Sequence, residues 1–249
     1  MAGSAADERP EIQFHDGIAH KWETLHRGRV FRQRTAAMFK LLDGADLTHQ
    51  IWVDAGCGTG TLSRRLAERG CSVMGFDASE EMLVVARRPT VHEPSKSVTA
   101  PSFQLIKTIE HLPMPQRSCD GVLCASVLEY TSAPERCLTE FSRVLRPGGL
   151  LLLSIPNRPS LPRRLFKIAY AISSRLLPRP AFRYLQHSVF ELSIRSATEL
   201  LYKHGFIVLG HNFAGSSFPA VLDRTSLVGT LINIVARRDA ADPISKPPF

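Results

Sequence analysis

Val53-Asp54-Ala55-Gly56-Cys57-Gly58-Thr59-Gly60 is the stretch that decides the reading of this chain. It follows the apolar run Ile51-Trp52-Val53 and opens the helix-like segment Thr61 to Arg69. Glycines at alternate positions let the main chain bend through conformations closed to residues with a Cβ, and let a ligand approach the backbone closely. A strand leading in and a helix N-terminus leading out place free amides and a partial positive charge at the mouth of the turn. That mouth suits the polar, partly anionic end of a small molecule.

Working outward, Gln50 to Asp54 reads as a first strand, Gly70 as the cap of the helix after the turn, and Ser72 to Phe76 as a second strand. Strand, glycine turn, helix, strand is a βαβ unit, which implies a parallel sheet with a right-handed crossover. Asp77 ends the second strand, 19 residues after Gly58. At about that offset an acidic side chain can receive the hydroxyls of a ribose. A dinucleotide fingerprint needs a third glycine where Thr61 stands, and no Walker A pattern is present.

The alternation continues through strands at Phe103 to Ile106, Asp120 to Ala125 and Leu150 to Ile155, with a helix from Pro134 to Leu145. The run Leu150 to Leu153 lacks alternation, as a central strand buried on both faces should. A helix from Ser196 to His204 precedes last strands at Phe206 to Leu209 and Leu231 to Ala236. Upstream, Ile18 to Leu42 reads as one or two amphipathic helices. Thr90 to Pro101 reads as a long polar loop.

Several motifs share this frame: the glycine turn, Phe76-Asp77, His111-Leu-Pro-Met-Pro115, Cys119-Asp-Gly-Val-Leu123 and Arg143-Val-Leu-Arg-Pro-Gly-Gly149. Together they resemble the class I, Rossmann-like S-adenosylmethionine-dependent methyltransferases, closely over Gln50 to Asn157. The resemblance implies a doubly wound α/β fold, a mostly parallel seven-stranded sheet with an antiparallel last strand. It implies S-adenosyl-L-methionine as cofactor, its methionine end against Asp54, Gly56, Cys57, Gly58 and Gly60. It also implies Asp77 on the ribose hydroxyls, Ala78 and Met82 beside the adenine, and Ala125 and Ser126 on the methionine side. Where many relatives carry an acid after the third strand this chain has Thr108, so adenine contacts are expected from Thr108 and Ile109. Lys21-Trp-Glu, Leu25-His26 and Arg32 to Arg34 are similar to the leading helices of quinone-biosynthesis O-methyltransferases.

Methyl transfer needs an in-line nucleophile more than a battery of catalytic groups, and a general base helps chiefly when the acceptor is a hydroxyl. Candidate bases are His111, Glu129, His187 and His204. Glu129 follows the fourth strand, at the end of the sheet where α/β ligands bind, and His187 lies in the segment that would cover the substrate. These two are the catalytic candidates. His204, beside Gly205, reads as a helix cap.

Composition sets the outer limits. The chain has 249 residues, 44% hydrophobic and 22% charged, which fits one globular domain over residues 18–238 with flexible ends at 1–17 and 239–249. Five cysteines form no CxxC pair and no metal-ligand spacing, which points to reduced thiols and a cytoplasmic protein without a metal. No apolar run reaches the length of a spanning helix.

The net charge of +8 concentrates in residues 158–192, a long insertion before the Ser196 helix. Leu165, Ile168, Ala169, Ile172 and Leu176 form one stripe, with Arg164, Lys167 and Arg175 on the other side. The segment reads as a lid packing its apolar face on the domain, or as an interfacial helix touching an anionic membrane through 161–183. Nucleic acid is disfavoured, since no aromatic platform is interleaved with the basic residues. The oligomeric state is left open. The sequence thus points to methyl transfer onto a small lipophilic acceptor, most simply at oxygen. The alternatives are a noncatalytic cofactor-binding partner subunit and a methyltransferase of protein or RNA.

Overall fold

A computed structural model describes residues 10–20, 22, 28–88, 99–177, 180–216 and 220–240. Residues 1–9 and 241–249 of the expected flexible ends lie outside the described residues. So do Lys21, Glu23, Leu25 and His26, most of the Thr90 to Pro101 loop, and Arg179.

Seven strands form one sheet: β1 (Ile51–Ala55), β2 (Ser72–Asp77), β3 (Ser102–Leu105), β4 (Cys119–Ala125), β5 (Leu145–Pro156), β6 (Phe206–Ala214) and β7 (Leu231–Arg238). Their order is β3-β2-β1-β4-β5-β7-β6. All neighbours are parallel except β7, which runs antiparallel to both β5 and β6. The strand order reverses beside β1, so the C-terminal ends of β1 and β4 diverge there and leave a crevice.

The two faces are filled from different helices. On one, α2 (Arg29–Phe39) and α3 (Thr61–Ala67) bury Met38, Phe39 and Leu66 against Trp52, Leu123, Leu152 and Val235. On the other, α5 (Pro134–Val144) and α7 (Ile194–Lys203) bury Phe141, Val144 and Leu201 against Val53, Val122, Leu151 and Ile234. The β5 run has no alternation because both of its faces are covered. The helix between β2 and β3, α4 (Glu80–Ala86), is capped by Ser79, whose hydroxyl accepts from Met82 N, with Glu80 and Glu81 in its first turn.

Two expectations are corrected. Residues 10–17 are not a loose end: Pro10–Asp16 forms α1, which packs on α4, and Asp16 Oδ1 accepts from Ser79 Oγ at 2.5 Å. The insertion forms α6 (Leu161–Leu176), but its apolar stripe does not pack on the domain. Leu165, Ile168, Ile172 and Leu176 are 55–74% exposed. The inner side of α6 instead carries Phe166 on the cavity wall and a polar cluster: buried Arg163 donates to Glu191 Oε2 at 2.9 Å and to Ser188 Oγ, and Lys167 donates to Glu191 Oε1. The amphipathic period fixed the two sides of this helix, while the ion pairs with Glu191 decided which side turns inward.

Candidate active site

The crevice opens into a cavity of about 820 Å3 at the C-terminal ends of β1, β2, β4 and β5. Its floor on one side is the glycine turn. Gly56, Gly58 and Gly60 all have positive φ. A Cβ on Gly56 would stand 2.4 Å from Val127, whereas one on Gly58 would stand in open space. The Gly56 approach is therefore needed for packing against the loop after β4, and the Gly58 backbone is left bare toward the cavity.

Asp77 is tied into this turn. Its Oδ2 accepts Gly58 N–H at 2.7 Å and its Oδ1 accepts Ser79 N–H at 2.9 Å. Two backbone donors hold the carboxylate in one orientation on the cavity wall. Asp54, 1% exposed, accepts from Ser63 Oγ at 2.6 Å. Burial, reinforced by the charge of Asp77 and opposed by Ser63, pushes its pKa up to about 7. Burial likewise keeps the Cys57 thiol protonated.

Asp54, Gly56, Cys57, Gly58, Asp77, Ala78, Met82, Thr108, Ile109, Ala125, Ser126, Glu129 and His187 are all brought to the cavity wall. Gly60 is not among the lining residues. It closes the turn, its N–H donating to Cys57 O at 2.9 Å, and starts α3 from a left-handed conformation. Thr108 Oγ1 accepts from Glu110 N, and Glu110, two residues beyond, supplies an acid on the same wall. His111 is 84% exposed and off the cavity, and His204 meets Thr139 and Glu135 near the end of α7.

Glu129 is buried on the same cavity wall. It sits in the one-turn helix Leu128–Tyr130 after β4 and is 3% exposed, and its Oε2 meets no hydrogen-bond partner among the described residues. Burial pushes its pKa up to about 7, with Arg163 and Arg34 opposing the rise. His187 is half-buried on the cavity wall, its ring 5.8 Å from that of Phe14.

Arg34 was not legible as a site residue in the sequence. From α2 it reaches the cavity, lies 4.7 Å over the Phe31 ring and donates from Nη2 to Ser126 Oγ at 3.0 Å. It makes no ion pair among the described residues. Ser126 itself has φ 56°, a left-handed conformation that is costly for a residue with a Cβ, at the end of β4. The available signal was a cation at i+3 from Phe31 and i−4 from Met38, on the inward side of α2.

The methyltransferase domain family matches residues 53–153. The ubiquinone biosynthesis O-methyltransferase of Azoarcus sp. (strain BH72) is 30% identical over 177 residues, covering 70% of this chain and 74% of that protein. The chain belongs to the class I S-adenosylmethionine-dependent methyltransferases. The protein of the same description from Xanthomonas oryzae pv. oryzae (strain PXO99A) is 34% identical over 140 residues, 56% of each chain. Magnesium protoporphyrin IX methyltransferase from Synechocystis PCC 6803, solved with bound SAH, shares the fold at TM-score 0.67. It is 19% identical, with 91% of this chain and 96% of that chain covered.

A class I methyltransferase uses S-adenosylmethionine as its methyl donor, and the residues present fit that group. The bare Gly58 backbone leaves room, the anchored Asp77 carboxylate has acceptor capacity for hydroxyls, and Ala78, Met82 and Ile109 are apolar walls suited to a base.

Proposed function

We propose that this methyltransferase O-methylates a small lipophilic molecule bearing a hydroxyl or carboxyl group. The observation that carries the reading is one continuous cavity with Gly58 and Asp77 on its wall and, on the same wall, the buried Glu129 carboxyl, whose Oε2 meets no hydrogen-bond partner among the described residues. Apolar Phe14, Trp22, Phe31 and Phe166 line the same space. The naming of the Azoarcus and Xanthomonas relatives as O-methyltransferases supports oxygen as the target.

In this reading Asp77 accepts hydrogen bonds from both ribose hydroxyls, and Ala78, Met82, Thr108, Ile109 and Glu110 surround the adenine. Asp54, Gly56, Cys57, Ala125 and Ser126 border the methionine end, and the Arg34 guanidinium answers its carboxylate. S-adenosylmethionine, when bound, supplies a methyl group on a positively charged sulfur. Glu129 takes the proton of an acceptor hydroxyl at Oε2, and the surrounding aromatic wall excludes water. His187 contacts the acceptor near the rim. Holding two reactants in line can itself supply on the order of 7 to 11 kcal/mol of the barrier.

The exposed stripe of α6 and the basic residues beside it fit a peripheral contact with an anionic membrane through 161–183, on the cytoplasmic side. Phe166 on α6 also lines the cavity, so a lipophilic acceptor would pass directly from that surface to the site. No helix among the described residues is long and apolar enough to cross a membrane. Turnover to S-adenosylhomocysteine on a panel of alkylated phenols and aryl acids tests the proposal. Cofactor binding without turnover on any of them counts against it.

A further inference from the structure

One cross-strand row over β4, β5, β7 and β6 reads Ala125, Ser154, Asn233, Asn212. Directly paired residues present their side chains on one face of a sheet, so the last three make a polar row on the face that carries α2. The polarity is unusual in position. Ser154 interrupts the leucine run of β5, and it and Asn233 are each 2% exposed, yet both line the cavity.

The hydrogen bonds of the row fix which atoms remain. Asn212 Nδ2 donates to the Ala37 carbonyl at 2.7 Å. A backbone carbonyl only accepts, so the orientation of this amide is determined and Asn212 Oδ1 is an acceptor. It takes Asn233 Nδ2 at 2.9 Å. Asn233 therefore keeps its own Oδ1 as an acceptor, beside a Ser154 Oγ that meets no protein partner among the described residues.

A buried hydroxyl without a partner destabilises the free protein. Packing alone would favour alanine at position 154. We propose that Ser154 and Asn233 form an acceptor subsite, which takes a neutral hydrogen-bond-donating group, such as a second hydroxyl, other than the group that is methylated. It rests on the proposed acceptor class above. A carboxylate is disfavoured beside Asn233 because it would face the Asn233 carbonyl oxygen, acceptor against acceptor.

The test is calorimetric titration of the full chain, saturated with S-adenosylhomocysteine, with 4-butylcatechol, 4-butylresorcinol and 4-butylphenol. At least one diol is expected to bind about tenfold more tightly than the phenol, the worth of one hydrogen bond to a buried partner. In Ser154→Ala and Asn233→Leu that preference falls to about threefold or less. Without ligand, Ser154→Ala is expected to unfold at the same or a higher temperature than the parent, which a structural hydroxyl would not allow. Equal binding of diols and phenol, a preference intact in Ser154→Ala, or a lowered unfolding temperature of that variant overturns the subsite. S-adenosylhomocysteine that binds while the preference is missing leaves the methyltransferase reading standing. If it fails to bind, both fall.

Discussion

Asp77 Oδ2 accepts the Gly58 amide at 2.7 Å, which fastens the carboxylate at the end of β2 to the turn after β1. One residue thereby braces the glycine loop and offers the lone pairs assigned to ribose. Asp77→Ala removes charge-assisted bonds of about 1.5 to 3 kcal/mol each, and S-adenosylhomocysteine affinity is expected to fall roughly 10- to 150-fold for each bond lost. Calorimetry checks it. Unchanged affinity would remove Asp77 from the cofactor site.

Glu129 links burial to pH. Its carboxyl titrates near 7 in the folded chain, far above its ordinary range, because burial disfavours the charged form. The folded state therefore holds this proton where the unfolded state has released it. Stability attributable to Glu129 is highest below about pH 4.5 and is lost as pH rises toward 7, by about 3 kcal/mol in total. Glu129→Gln should remove that component, read as a smaller drop in urea-unfolding free energy between pH 4.5 and 7.

The same group sets the activity profile. As proton acceptor, Glu129 works ionised, so kcat on a hydroxyl acceptor should climb with pH through about 7 and level off above it. Glu129→Gln is expected to lower kcat about 10²- to 10⁴-fold and to flatten this rise. A rise that survives in the variant would assign it to another group.

Arg34 is expected to distinguish ligands by their amino-acid end. Arg34→Met should weaken S-adenosylhomocysteine about 10-fold or more, the scale of a charged hydrogen bond, and leave 5′-methylthioadenosine unchanged. Equal weakening of both in equilibrium dialysis would mean that the change disturbs the pocket generally.

On α6, Leu165→Ser, Ile168→Ser and Ile172→Ser together remove exposed apolar surface and should leave thermal stability within the small range of surface changes. Flotation of the protein with phosphatidylglycerol vesicles should be lost in the triple variant. Its retention would contradict the membrane contact.

The cavity wall around the glycine turn was legible because it is local. The glycine turn, Asp77 and Ser126 sit at strand ends, which can be counted along the chain, and the motif resemblance pointed to Thr108 and Ser126. Glu129 was legible for the same reason. Arg34 was not, since it arrives from a helix that precedes the sheet and was one arginine among several. Ser154 was hidden in an apolar run whose register only pairing with β7 reveals. The outward turn of the α6 stripe depended on Glu191 drawing Arg163 and Lys167 inward. An amphipathic period states that a helix has two sides, not which neighbour each side meets.

The central claim, methyl transfer to oxygen on a small lipophilic acceptor, is tested most directly by mass spectrometry. The full chain is incubated with methyl-labelled S-adenosylmethionine and a lipid-containing cell extract. The account predicts the label as an O-methyl group in a small organic-soluble molecule, strongly reduced with Asp77→Ala at limiting S-adenosylmethionine. Label found in protein or RNA, or in no extractable molecule at all, would contradict it.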